Sequence, residues 1–140
     1  MITKKQSAFS LMEIIIVVTI IGVLAGMVGP RIVKAWKKVK ETTTKNTLRS
    51  VQSAINEYYG DVRKYPTKLD DLTERPSGVP GTKWRGPYLK EEELDDGWGT
   101  PIEYSRPPVR FKKEAGYMSY ELISYGQDQE ESDDDLHVGL

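Results

Sequence analysis

The sequence predicts an α+β protein in which the second half of one long N-terminal helix packs on a small, mostly antiparallel β-sheet. An apolar run from Phe9 to Pro30 begins the helix. Apolar residues at steps of three and four then continue one helical stripe to about Tyr59; they are Ile32, Trp36, Val39, Leu48, Val51, Ile55 and Tyr58. Short segments rich in β-branched and aromatic residues follow Pro101, bounded by turn residues, as is typical of strands.

The remaining elements follow from turn and capping residues. The strand candidates are Ile102–Ser105, Val109–Lys112 and Tyr117–Tyr125. We expect Gly60 to cap the end of the long helix, and Thr67 to cap a short helix that continues to Leu72. Between the short helix and the strands, residues 76–87 form a loop rich in proline and glycine, with Trp84 as its one large anchor.

The apolar run has the length of a membrane-spanning helix, since about 20 residues cross a hydrocarbon core about 30 Å thick. From Ile14 to Val28, only Thr19 is neither apolar nor glycine. Glu13 stands out, because an ionised carboxylate in hydrocarbon is costly and is normally paired or functional. Pro30 removes a helix hydrogen bond and crowds the preceding turn, so we expect a kink or local melting there.

Charge is distributed unevenly along the 140 residues, although the net charge is only −1. Seven Lys and Arg residues lie between Arg31 and Arg49 against the single acid Glu41, whereas the chain from Glu121 onward carries acids and no Lys or Arg. Basic charge directly beside a membrane helix favours lipid headgroups or a neighbouring subunit as partners, and we expect no nucleic acid. The same basic charge conflicts with the positive-inside rule if the C-terminal side is exported, because Lys and Arg beside a membrane helix favour the cytoplasmic side.

No catalytic constellation is visible in the sequence. The only histidine is His137, near a C-terminus that we expect to be frayed, and there is no cysteine. No serine lies in a nucleophile elbow, and no glycine-rich phosphate loop is present. The sequence therefore favours a protein that is not an enzyme.

The N-terminus carries an ordered set of features: Lys4 and Lys5, the small residue Ala8, then Phe9, and Glu13 five places into the apolar run. This arrangement resembles the type IV pilin-like family. The resemblance implies that a prepilin peptidase removes residues 1–8, cuts after Ala8 (where the family prefers Gly) and methylates the new amine of Phe9. It also implies that Glu13 pairs with the N-terminal amine of a neighbouring subunit, which relieves two buried charges.

Two other interpretations of the N-terminus stay open. An ordinary secretory signal peptide would be cleaved after its apolar core, for example after Ala25. A plain signal anchor would leave Glu13 without a role.

The rest of the chain resembles one branch of that family, the major pseudopilins of type II secretion systems. The motifs that carry this resemblance are Lys64-Tyr65-Pro66-Thr67 followed by Leu69 and Leu72, Gly86-Pro87-Tyr88-Leu89, Asp96-Gly97-Trp98-Gly99-Thr100-Pro101, Tyr120-Glu121-Leu122 and Ser124-Tyr125-Gly126-Gln127-Asp128. Gly97 departs from the family pattern, which usually has proline there. The acidic loop that follows is one residue shorter, with Gln129 and Ser132 in place of glycines.

The same resemblance implies a calcium site in the acidic loop, residues 126–136. The carboxylates of Asp128, Asp134 and Asp135 would bind the ion, and the backbone carbonyls of Tyr125 and Asp133 would complete the shell. Calcium takes six to eight oxygen ligands of these kinds. Without the resemblance, an acidic run of this kind is more often solvated charge.

The implied organisation is a leader (1–8), a transmembrane and assembly helix (9–30) and a periplasmic domain (31–140). The implied function is a structural subunit of an inner-membrane-anchored periplasmic pseudopilus that drives exoprotein export. Its partners would be further copies of itself, minor pseudopilins, the prepilin peptidase and the inner-membrane assembly platform. Two alternatives remain: the major pilin of a type IV pilus, and a membrane-anchored or secreted calcium-dependent binding module. Many type IV pilins carry a cysteine pair, and this chain has no cysteine, which favours the pseudopilus over the pilus.

Overall fold

The computed structural model describes residues 9–111, 119–133 and 135–139. Helix α1 spans Leu11–Val62, and three strands follow, β1 Glu103–Ser105, β2 Glu121–Ser124 and β3 Leu136–Gly139. Two short 3-10 helices, Leu69–Leu72 and Glu91–Leu94, lie between α1 and the sheet. The chain divides into two compact units between Lys38 and Val39. One long helix followed by a small antiparallel sheet is the α+β fold that the sequence predicts.

The first unit ends at Lys38 and contains the apolar part of α1. The backbone N–H groups of Glu13 and Ile14 donate to the Ser10 carbonyl, at 3.0 and 3.2 Å, and close the first turn. Thr19 satisfies its hydroxyl within the helix by donating to the Ile15 carbonyl at 2.7 Å. The helix continues through Pro30, so the local melting that we expected there does not occur in the single chain.

The end of α1 corrects a prediction. Gly60 lies inside the helix, which ends at Val62. Arg63 adopts the left-handed conformation (φ 62°), and its N–H donates to the Tyr59 carbonyl at 2.9 Å. The helix extends past the glycine because Val62, one turn after the buried Tyr58, is itself buried in the core.

The core of the second unit forms around one stripe of α1. Buried residues of the helix meet buried residues of the loops and the sheet; they are Leu48, Val51, Ala54, Ile55, Tyr58 and Val62 on the helix, with Leu69, Leu72, Leu94, Ile102, Tyr120 and Leu122 opposite. Each large apolar side chain buried in this way contributes about 1.5–3 kcal/mol. The predicted helical stripe is therefore confirmed from Leu48 onward.

The sheet has the order β1-β2-β3, and both pairings are antiparallel. Leu122 in the centre pairs with Tyr104 on one side and Val138 on the other. β1 and β2 lie within two of the predicted segments. β3 was missed: residue 136 was assigned to the acidic loop and His137 to a frayed end, whereas Leu136–Gly139 pairs along the whole of β2.

The remaining strand candidate is Val109–Lys112. It does not form a strand over residues 109–111, and Lys112 lies outside the described residues. The three backbone N–H groups of residues 109–111 donate instead to the side-chain carboxylate of Glu121. The Glu121 side chain thus satisfies the backbone donors that a strand partner would otherwise take. Part of the candidate Tyr117–Tyr125 also lies outside the described residues.

The first 3-10 helix corrects the predicted cap. Thr67 does not cap it; the Asp71 carboxylate accepts hydrogen bonds from the Thr67 N–H and hydroxyl, at 2.7 and 2.6 Å, and from the Lys68 N–H at 3.3 Å.

Trp84 packs against the core, and its indole N–H donates to the Asp71 carbonyl at 3.3 Å. The predicted role of Trp84 as the anchor of its loop is confirmed.

Candidate assembly and cation sites

The predicted assembly residues lie at the start of α1. Ala8 falls outside the described residues. Phe9 is exposed just before the helix, and Glu13 is exposed in its first turn. A carboxylate in the first helical turn is favoured by the helix dipole. The pairing of Glu13 with a neighbouring subunit stays a prediction.

The apolar residues of the first unit remain on its surface. From Phe9 to Trp36, the large apolar side chains are 47–80% exposed. Among the described residues, α1 alone has the length and apolar composition that a membrane span requires. An apolar surface of this extent marks contact with a membrane or another protein.

A tight turn at Asp96–Thr100 joins the second half of α1 to the sheet. One carboxylate oxygen of Asp96 accepts from the N–H groups of Trp98 and Thr100, at 2.8 and 2.9 Å. The other accepts from the Ser124 hydroxyl on β2 at 2.5 Å. This carboxylate therefore shapes the turn and fixes it to the central strand.

Gly97 lies where this turn touches α1. Its N–H donates to the Thr44 hydroxyl at 2.9 Å, and a Cβ at this position would lie 2.4 Å from the Lys40 carbonyl oxygen. The departure from the family's proline therefore has a physical basis here, because proline lacks the N–H that bonds Thr44.

Glu121 is buried in β2, with 1% of its surface exposed. It accepts from the N–H groups of Val109, Arg110 and Phe111 at 2.8, 3.0 and 2.9 Å. Burial by itself would raise the pKa of Glu121, but these donors outweigh it and hold the pKa below its ordinary value. The ionised carboxylate thus fixes the segment that carries Arg110.

The predicted calcium ligands differ in their surroundings. Asp128 is exposed, and its carboxylate accepts from the Glu130 N–H at 3.3 Å. Tyr125 donates its hydroxyl to Glu103, which raises the pKa of Tyr125 to about 12. Asp133 is exposed, and Asp134 lies outside the described residues.

Asp135 is the predicted ligand whose surroundings are most informative. Its side chain is 2% exposed and forms an ion pair with Arg110, and it also accepts from the Ser132 N–H at 3.3 Å. The carboxylate oxygen that faces Arg110 is thus occupied, and within the described part of the chain the other oxygen is buried without a hydrogen-bond partner.

The described acidic and histidine side chains do not form a metal-binding cluster by themselves. Across residues 9–111, 119–133 and 135–139, no three His, Asp or Glu side chains lie together as metal ligands would. Asp135 faces a guanidinium. Because the predicted set also includes Asp134, calcium binding stays a prediction.

One of the two glycine replacements in the loop has a conformational consequence. Gln129 adopts the left-handed conformation (φ 58°), which glycine accommodates without steric cost. The described backbone gives no such conformation at Ser132, whose carbonyl instead accepts from Arg110 at 3.0 Å. Sequence reasoning did not single out Arg110, because its partners follow it by more than 20 residues and no local spacing connects them.

Comparison with known proteins agrees with this fold and with the N-terminal pattern. The family model described as type II secretion system, protein G, matches residues 31–139, and the model of the prokaryotic N-terminal methylation motif matches residues 3–29. The chain is 37% identical over 123 residues to the type II secretion system core protein G of Xanthomonas campestris, with 88% of this chain and 80% of the relative covered.

The corresponding core protein G of Pseudomonas aeruginosa is 33% identical over 143 residues, with 97% of this chain and 95% of the relative covered. In fold, the chain is similar to the crystal structure of the major pseudopilin of the type 2 secretion system of enterohaemorrhagic Escherichia coli. The TM-score is 0.56 at 22% identity, with 71% of this chain and 86% of that chain covered. The chain belongs to the protein G family of type II secretion systems, the family of the major pseudopilins.

Proposed function

We propose that this chain is the structural subunit of a periplasmic pseudopilus and that it assembles through the apolar part of α1. The observation that carries the proposal is the exposure of that apolar surface at the N-terminal end of the chain. The buried stripe of α1 from Leu48 to Val62 contributes instead to the core of the second unit. Membership of the protein G family supports the same function. In a filament, neighbouring helices would cover the apolar surface, because small residues such as Gly22 and Gly26 allow close packing.

Maturation would precede assembly. The N-terminal methylation motif covers residues 3–29, which include Ala8, Phe9 and Glu13. A prepilin peptidase would cut after Ala8 and methylate Phe9. The Glu13 carboxylate would then pair with the amine of the next subunit. Each buried charge alone costs several kcal/mol, so the pair sets the axial register of the filament more than it adds net stability.

The proposed topology has the N-terminus in the cytoplasm, the part of α1 up to Pro30 in the inner membrane and residues 31–140 in the periplasm. Its partners would be copies of itself, minor pseudopilins and the assembly platform. The role is structural, without a catalytic step. The protein G match over residues 31–139 favours a pseudopilus over a surface type IV pilus.

The identity of the mature N-terminus tests this proposal. Intact mass and N-terminal analysis of the membrane-extracted protein should give a chain that begins at Phe9 and is heavier by one methyl group. A chain that begins at Gly26 would support the exported binding module instead, and an uncleaved Met1 would support a plain signal anchor. The chain from a strain that lacks the prepilin peptidase is the control and should remain uncleaved.

A further inference from the structure

The Arg110 side chain bonds to the acidic loop through all three of its nitrogens. Its Nη1 contacts the Asp135 carboxylate, its Nη2 donates to the Ser132 carbonyl at 3.0 Å, and its Nε lies 3.2 Å from the Glu131 carboxylate. The Arg110 side chain is 25% exposed, whereas the Asp135 side chain is 2% exposed. One cation thus contacts the carboxylates of Glu131 and Asp135 and the backbone carbonyl of Ser132.

The segment that carries Arg110 is itself fixed to the sheet. The Glu121 carboxylate, buried in β2, accepts from the N–H groups of residues 109–111. The adjacent Phe111 ring stacks on His137 of β3, with ring centroids 3.8 Å apart and an interplanar angle of 17°. Arg110 therefore approaches the loop from a backbone that two strands hold in place.

The oxygens around Arg110 are of the types that calcium prefers, namely carboxylate and backbone carbonyl oxygens. The planar guanidinium carries a fixed charge and bonds several such oxygens at once. A buried carboxylate such as Asp135 must be paired, because its desolvation is otherwise uncompensated. Arg110 supplies the opposite charge, through the Asp135 oxygen that faces it, without a metal.

We propose that Arg110 is the resident cation of the acidic loop and replaces the calcium ion that the family resemblance implies. The loop then closes without a metal, through the contacts of Arg110 with Glu131, Ser132 and Asp135. The proposal accounts for the disagreement between the predicted calcium ligands and the ion pair of Asp135. It is independent of filament assembly, since it concerns the fold of the second unit.

Two measurements on the full chain in detergent micelles test the proposal. Amide hydrogen exchange of residues 131–139 and the Tm should be the same for the wild type in calcium, in magnesium at equal ionic strength, and in chelator. In chelator, Arg110→Gln should speed exchange at residues 131–139 at least tenfold, while amides of residues 48–58 in α1 stay protected. Arg85→Gln is the matched control, because it removes the ion pair of an exposed arginine with Asp61 and should leave that exchange unchanged.

The partner variant identifies the contact. Asp135→Asn should speed exchange in the same residues, and the Arg110→Gln/Asp135→Asn double variant should exchange no faster than the worse single variant. Three results would each overturn the proposal: a wild type whose Tm rises by several degrees in calcium above magnesium, an Arg110→Gln chain with unchanged exchange, or additive effects in the double variant. The wild-type calcium comparison decides the question even if a variant fails to fold.

Discussion

Three buried carboxylates hold the loops of the second unit. Asp71, Asp96 and Glu121 are each at least nine-tenths buried, and each accepts hydrogen bonds from three donors. Such bonds satisfy the acceptor oxygens of carboxylates that burial has removed from water. Single carboxylates therefore fix loop segments that lack a strand or helix partner.

Glu121→Gln should destabilise the chain in a way that depends on pH. The folded-state pKa of Glu121 is lowered, so its contribution is present above the ordinary value of about 4.5 and is lost as the pH falls through the folded pKa. At pH 7, we expect a loss of about 1–3 kcal/mol. Urea unfolding at pH 7 and pH 3 measures it. A wild-type-to-variant difference that is equal at both pH values would contradict the assignment, and Glu57→Gln, at an exposed position, is the control.

Gly97→Ala should destabilise the turn on α1. The new Cβ would lie 2.4 Å from the Lys40 carbonyl oxygen, so the turn or the helix must shift, at a cost of about 1–3 kcal/mol. Gly78→Ala, where nothing lies within 4 Å of the added Cβ, should change the free energy of unfolding little. Equal stabilities of the two variants in a urea titration would show that the close contact is unimportant.

Elements with a clear period were predictable from sequence, and those formed by tertiary contacts were not. The spacing of Leu48, Val51 and Ile55 predicts the buried face of α1 because it has the helical period. β3 has only four residues and follows an acidic run, so no local pattern marks it as a strand. It is a strand because it pairs with β2. Residues 109–111 have the composition of a strand, yet Glu121 takes their backbone donors.

The candidate sites divide in the same manner. Phe9 and Glu13 are found from their spacing along the chain, since the role proposed for them depends on positions four residues apart. Arg110 and Asp135 are 25 residues apart and meet only once the sheet has formed, so no local pattern identifies the pair.

The end of α1 offers a stabilising substitution. Arg63 adopts a left-handed conformation (φ 62°) at an exposed position, where glycine is the usual helix-ending residue. Arg63→Gly should therefore raise stability by about 1 kcal/mol. Lys64→Gly, at the next exposed position, lacks this conformational reason and should lower stability or leave it unchanged. A lower Tm for Arg63→Gly than for the wild type would show that the Arg63 side chain contributes more than its conformation costs.

The molecule as a whole combines a unit that leaves its apolar residues uncovered with a unit that has its own core. In the first unit, the exposed apolar side chains extend over the length of a membrane span. In the second, α1 supplies one face of the core and the loops and sheet supply the other. This division suits a subunit that is held in a membrane before it enters a filament, because the core of the second unit is formed within a single chain.

Filament assembly by Glu13→Ala, quantified by cross-linking, tests the central claim most directly. The variant should insert and be cleaved as the wild type is, but its yield of cross-linked filament should fall at least tenfold, because the amine of the next subunit loses its carboxylate partner in hydrocarbon. Glu92→Ala, which removes an exposed carboxylate, should assemble normally. A normal filament yield from correctly cleaved Glu13→Ala would contradict assembly through this pair.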